Sequence, residues 1–265
     1  WTFDLRSTDS SAWEVAYGQP LFSAGADSPI TARPVVASHP ANLSGRVIHF
    51  GTGQYLEGDD NFSTDQQYFF AVWDRDMCAG NLECKAALKT ANLSSPSRFP
   101  SFSNLLQQTA GATGSTSNNA ISWRGSEGSG HEGWYLELGT SGTASERVIG
   151  RAFVRGSVVI FSSLQPESAT CSSGGSSILY ALGRFGGGLP LAPVFDTNND
   201  GFIDESDLGG SGGDEVINKL VIDDPLIGIN ASAADKGQGV ILTSDSGEQL
   251  GPDFGIGRVR WRQLK

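Results

Sequence analysis

Apolar residues in this chain come in short runs, many of them alternating with polar ones, and the runs are punctuated by glycine, proline, asparagine and serine. A period of two over four to eight residues is the mark of a strand with two distinct faces. Ile30–Ala37, Arg46–Phe50 and Tyr68–Trp73 read as strands rich in β-branched and aromatic residues, with a turn at His39-Pro40-Ala41-Asn42 after the first. They make most of one four-stranded meander. A second set runs over Ala120–Trp123, Gly133–Leu138, Glu146–Leu164 and Ile178–Leu182, with a tight hairpin at Arg155-Gly156. A third covers Lys219–Ile222, Pro225–Asn230, Gly239–Ser244 and Gly257–Leu264. Repeated meanders of short strands predict the radially arranged blades of a β-propeller. The one helical candidate is a short surface helix over Asn81–Ala91, and Leu93–Asn119 reads as a long decorated loop.

Composition narrows the class. Glycine (35) and proline (11) fill 46 of 265 positions and suit many turns, while an apolar content of 38% is enough for a core. Acids exceed bases by 29 to 18, a formal charge of −11, so nucleic acid or an anionic membrane surface would be repelled and a metal cation favoured. No window approaches the roughly 20 apolar residues of a membrane helix, and no signal-peptide pattern is visible. Of three cysteines, Cys78 and Cys84 flank a short loop and are candidates for a local disulfide; Cys171 is left over.

The strongest chemical signal is Asp196-Thr197-Asn198-Asn199-Asp200-Gly201-Phe202-Ile203-Asp204-Glu205-Ser206-Asp207. Calcium takes six to eight hard oxygens at about 2.3–2.6 Å, and an EF-hand-like loop supplies them from positions 1, 3, 5, 7, 9 and 12. Asp196, Asn198 and Asp200 offer side-chain oxygens, Phe202 its backbone carbonyl, Asp204 a direct or water-mediated ligand, and Asp207 stands where a bidentate glutamate is usual. Five acids without a base in twelve residues call for a cation among them. Gly186-Gly187-Gly188-Leu189-Pro190 precludes a preceding helix, so residues 186–214 read as a calcium-loop insertion with a stabilising role.

Catalytic readings are weaker. Ser129, His131 and Glu132 are loop neighbours without a nucleophile elbow. Gly51-Thr52-Gly53-Gln54 lacks the lysine and helix of a phosphate loop, and Asp59-Asp60 and Asp223-Asp224 read as solvated turns. Three sets of strands fall short of the roughly four to eight blades of a closed propeller, so further blades are expected from elsewhere in a longer protein.

Phe50-Gly51-Thr52-Gly53-Gln54-Tyr55-Leu56 followed by Tyr68-Phe69-Phe70-Ala71-Val72-Trp73-Asp74 resembles a signature of the PilY-type proteins of bacterial type IV pili. Trp1-Thr2-Phe3-Asp4-Leu5, Gly133-Trp134-Tyr135-Leu136-Glu137-Leu138, Glu146-Arg147-Val148, Cys171 and the closing Gly257–Leu264 resemble the same family. The resemblance implies residues 1–265 of a C-terminal modified β-propeller region: all-β, about three or more four-stranded blades, with the short helix and the inserted calcium loop. It also implies an exported, non-enzymatic protein of the pilus tip or outer surface that supports assembly, twitching and adhesion. Its partners would be minor pilins, the N-terminal part of the parent protein and a host or abiotic surface receptor. The family's regulatory calcium site would fall before Trp1, so the loop at Asp196 is a separate site. Readings from other classes are a secreted propeller enzyme, quinoprotein-like or glycan-active, and a calcium-stabilised carbohydrate-binding or scaffold module.

Overall fold

The computed structural model describes residues 1–5, 7–15, 20–75, 100–111, 114–124, 130–141, 144–167, 175–198, 203–210, 212–222, 226–231 and 239–243. Two sheets dominate. The first is built from β3 (Val35–Ser38), β4 (Arg46–Gly51), β5 (Tyr68–Asp74), β6 (Leu106–Thr109) and β7 (Gly133–Glu137), in the order β3-β4-β5-β7-β6. The second is β10 (Phe153–Arg155), β11 (Val158–Gln165), β12 (Ser176–Gly183) and β15 (Lys219–Ile222), antiparallel throughout. Small two-stranded pairs surround them: β1 (Phe3–Asp4) with β2 (Glu14–Val15), β8 (Thr140–Ser141) with β9 (Ala144–Ser145), β13 (Leu208–Gly209) with β14 (Glu215–Val216), and β16 (Leu226–Ala231) with β17 (Gly239–Thr243).

The all-β reading holds, but strands are shared out differently. Gly133–Glu137 completes the first sheet, not the second, because it pairs with β5 from Tyr68↔Glu137 to Val72↔Gly133. Part of the expected long loop is strand β6, which runs parallel to β7. Lys219–Ile222 closes the second sheet against β12 rather than opening a third. Ala120–Trp123 and Ile30–Pro34 contribute only isolated bridges, Trp123↔His131 and Ile30↔Gly53. The tight hairpin sits one residue later than expected: Arg155 opposes Val158, leaving Gly156-Ser157 as its two-residue loop. The helical candidate Asn81–Ala91, all three cysteines and Gly257–Leu264 lie outside the described residues.

Burial on both faces explains why the central strands read as near-continuous apolar runs. In β5, Phe69, Ala71 and Trp73 enter the core between the two sheets, while Phe70 and Val72 point to a separate cluster with Phe50 and Leu105. In β12, Ile178, Tyr180 and Leu182 join the shared core and Leu179 and Ala181 pack on the far side against Val194, Phe195 and Ile222. At the centre Phe69 and Phe161 stack at 3.8 Å with their planes 1° apart, and Tyr180 continues the stack at 4.9 Å. The sheets are thus packed face to face like neighbouring blades.

Two histidines lie in this packing. His39 is wedged between Trp73 (4.5 Å) and Trp123 (4.3 Å), and His49 is fully buried edge-on to Trp134. Burial, reinforced by the Arg184 charge, lowers His39 to about 4. The same two causes, in the same order, outweigh a main-chain contact with Val35 and lower His49 to about 3. A depressed folded value means that the unfolded chain takes up protons first, so this stability is complete above about pH 6.5 and fades as pH falls.

Two outcomes follow from the core. Phe161→Ala should destabilise the fold by about 3–5 kcal/mol in denaturant unfolding, since it removes the middle ring of the stack. For His49, about 2 kcal/mol should be lost between about pH 8 and about pH 5, and His49→Gln should flatten that part of the stability curve; an unchanged slope would refute the assignment.

A candidate metal-binding loop and two buried charges

Val194 and Phe195 anchor the chain in the outer cluster of the second sheet just before Asp196. The loop leaves there and returns at β13, between β12 and β15. Asp207 is 1% exposed, and its carboxylate gathers the loop. Its Oδ1 accepts from Thr197 N (2.6 Å) and Asn198 N (3.3 Å), Oδ2 accepts from Asp204 N (3.0 Å), and the single Thr197 hydroxyl proton lies nearer the Asp207 main-chain carbonyl (3.1 Å) than Oδ1 (3.3 Å). Asp204 in turn caps the 3₁₀ turn Glu205–Asp207 through Ser206 N, and Asn198 Nδ2 donates to Ser206 Oγ. The Ser206 hydroxyl and amide hold the Asp204 carboxyl below its ordinary range.

Both ends of the predicted calcium loop are therefore drawn to one carboxylate, which brings Asn198, Asp204 and Asp207 together. Asp200 and Phe202 lie outside the described residues. Among the described residues no group of three or more His, Cys, Asp or Glu side chains stands at metal-holding distances. The donor chemistry fits a hard cation, but with two main-chain N–H groups on Oδ1 it is Oδ2 of Asp207, with one, that keeps the more lone-pair capacity for a metal.

The densest polar site was not singled out by its sequence. Glu146 and Arg147 are 1% and 2% exposed, and being consecutive in extended chain they face opposite ways. The Glu146 carboxylate accepts from Gly139 N (2.9 Å), Tyr180 OH (3.2 Å) and the Ser163 hydroxyl, which lies very close. Burial raises the Glu146 pKa against the pull of those donors and of Lys219. When protonated, Oε1 can donate to Ser163, whose own proton then turns to Ile178 O at 3.3 Å. Arg147 uses all five N–H groups on main-chain carbonyls: Nε and Nη2 on Ser145, Nη2 on Ser63, and Nη1 on Gln54 (3.0 Å) and Asp60 (2.5 Å). Burial lowers its pKa, and the nearby Asp60 carboxylate works against that. Gly53, at φ 120°, lets this side chain pass: a Cβ there would stand 2.3 Å from Arg147 Cβ. The only sequence cue was an acid and a base side by side within Ala144–Ile149, otherwise small and apolar.

Asp60, read as a solvated turn, is instead buried at 7% exposure. It accepts from Gln54 Nε2, Leu56 N and Glu57 N, and these bonds, led by Glu57, lower its pKa. Asp223-Asp224 lie outside the described residues. Glu132 does not support His131 but meets Arg124 at 2.7 Å and Arg75 at 3.2 Å, while His131 Nδ1 contacts the Ser122 backbone.

Arg147→Met should cost about 3–5 kcal/mol in equilibrium unfolding, because it strands carbonyls from several segments; Arg147→Lys, with three donors at one point, should recover only part. Glu146→Gln mimics the protonated acid. A raised folded pKa makes the wild-type contribution complete below the ordinary carboxylate range and lost as pH rises through the folded value. Glu146→Gln should therefore gain on wild type in thermal midpoint from acid to neutral pH; a pH-independent difference would refute this.

Residues 4–95 match the family model of the PilY1 beta-propeller domain. The whole chain is 27% identical to the Type IV pilus biogenesis factor PilY1 of Pseudomonas aeruginosa strain PAO1, and spans 25% of that protein. A PilY1 homolog of Xylella fastidiosa is 31% identical over 84% of this chain and 15% of its own length. In three dimensions, 91% of the chain superposes on 49% of the crystallised P. aeruginosa PilY1 C-terminal domain, with a TM-score of 0.68 and 27% identity. With its two packed sheets and with the Phe50–Leu56, Tyr68–Asp74 and Gly133–Leu138 motifs on and beside β4, β5 and β7, the chain matches the PilY1 beta-propeller family and is related in sequence and fold to the PilY1 C-terminal domain.

Proposed function

We propose that this chain is the propeller portion of a type IV pilus biogenesis protein, exported to the cell surface or pilus, and that its Asp196–Asp207 loop binds calcium. The pilus reading is carried by the match that runs along the whole chain to a protein named as a type IV pilus biogenesis factor. The relatives bear the name of biogenesis factors and not of enzymes. Among the described residues no helix is long and apolar enough to cross a membrane. Minor pilins and the remainder of the parent protein are the natural partners of such a propeller, which supports pilus assembly, twitching and surface adhesion.

The calcium reading is supported by the oxygen-bearing residues at positions 1, 3, 5, 9 and 12 and by the way Asp207 draws Asn198 and Asp204 inward. In that arrangement Asp196, Asn198, Asp200 and Asp204 would hold the ion with the Phe202 carbonyl and Asp207 Oδ2. A cation there neutralises acids that otherwise repel, and ties an insertion to the second sheet. Its role is stabilisation of the blade.

Deleting the coding region of this chain should abolish surface pili and twitching; normal piliation would defeat the pilus reading. Calorimetric titration of the chelated intact protein should show calcium uptake that Asp200→Ala with Asp204→Ala removes. At free calcium about a hundredfold above Kd, binding should add about 2.7 kcal/mol of stability. No uptake, or an unchanged midpoint in the double variant, would defeat the calcium reading alone.

A further inference from the structure

A groove of about 610 Å³ lies beside the turn that follows β12, within the size range of sites for small organic ligands. Ile121, Phe185, Leu189 and Leu191 give it apolar walls, and among the described residues Arg184 is its one charged lining residue. Phe185 is 51% exposed and Leu191 95%, so large apolar side chains stand in water around a cation. In a chain of net charge −11, a groove with a guanidinium and no acid among its described lining residues is unusual.

Three buried donors close to this turn have no hydrogen-bond partner among the described residues. Arg184 Nε is buried and has no hydrogen-bond partner. His39 Nδ1 accepts from Ala41 N at 3.1 Å, so the neutral ring carries its proton on Nε2, which is also buried and unpartnered. Trp123 Nε1 is a third such donor; its ring lies 4.3 Å from His39 and 6.4 Å from Phe185. Buried donors without an acceptor are costly, and of these three residues Arg184 lines the groove, where a bound acceptor would meet its guanidinium.

The turn that presents Arg184 is also firmly held. Arg184 N donates to Ser157 O (2.7 Å), Gly183 N to Gly188 O (2.8 Å) and Gly187 N to Gly183 O (2.7 Å). Gln108 Nε2 reaches Gly186 O (2.8 Å), and Asn118 Oδ1 accepts from Leu189 N (3.3 Å). Gly187, at φ 77°, lies so close to Trp134 that a Cβ would be 2.3 Å from the indole, so the turn rests on the shared core. Such a pinned frame binds without first ordering itself.

We propose that this groove binds an organic carboxylate with an apolar arm, the carboxylate on Arg184 and the arm along Phe185, Leu189 and Leu191. Guanidinium and carboxylate form charge-assisted hydrogen bonds that a neutral amide cannot match, and the exposed apolar walls supply the remaining affinity. A fatty acid and the C-terminus of a peptide both carry this chemistry.

The test is calorimetric titration of the intact protein with octanoate, octanamide, N-acetyl-leucyl-phenylalanine and the amide of that dipeptide. Each carboxylate should bind about tenfold more tightly than its amide, and the tighter of the two carboxylates identifies the source. Arg184→Gln should erase the preference, Arg184→Lys should keep part of it, and Leu191→Asp, at a fully exposed position, should weaken both carboxylates. Thermal midpoints close to wild type verify that the variants are folded; if Arg184→Gln does not fold, Arg184→Lys and Leu191→Asp carry the test. Equal affinity for acid and amide, a preference that survives Arg184→Gln, or no saturable binding up to about 10 mM would overturn the proposal.

Discussion

Two consecutive buried charges, Glu146 and Arg147, hold the two sheets in register. They are not an ion pair with each other: extended backbone sends the carboxylate toward Ser163 and Tyr180 of the second sheet and the guanidinium toward the 54–63 loop of the first. Each is made tolerable by hydrogen bonds, helped by the opposite charge of Lys219 near Glu146 and of Asp60 near Arg147, which is the condition for keeping an ionisable group inside a protein. The main chain here adds its own ties, with Arg147 and Leu164 exchanging both hydrogen bonds and Val148 N reaching Thr52 O. Gln54, Asp60 and Ser63, three of the four residues whose carbonyls Arg147 holds, lie outside every strand, so its fork fixes a connection that no ladder would fix.

The shared core inherits its alignment from that junction. Tyr180 is both the end of the Phe69–Phe161 stack and a donor to Glu146, so the apolar and polar parts of the interface meet in one residue. The neighbours of Tyr180 on β12, Leu179 and Ala181, face the other way and receive Phe195, the residue from which the acidic loop departs. Order at the loop and order at the interface are thus carried by opposite faces of the same strand.

Much of this was legible in the residues. Alternation and turn punctuation located β4, β5, β11, β12 and β15 within a residue or two, because long strands with apolar content on both faces leave a strong trace. Strand membership was less legible. β7 follows a stretch of polar and glycine-rich chain yet belongs beside β5, and β6, with the polar sequence Leu-Gln-Gln-Thr, is a strand only because it lies parallel to β7. The acidic loop announced itself by spacing, while the role of Asp207 as an acceptor of main-chain N–H groups did not. Glu146 and Arg147 were hidden because charge ordinarily marks surface, and their partners come from tens of residues away.

The back-to-back placement of these charges has a consequence for how the gene can change. Substitutions around them act one at a time, but gaining or losing a single codon between Gly139 and Val148 would exchange their directions. The guanidinium would then face Tyr180 and the Ser163 hydroxyl, and the carboxylate would meet four main-chain carbonyls with nothing to donate. Length in this segment is therefore held more tightly than residue identity, and relatives of the chain should vary in length elsewhere, in the turns whose backbone faces water.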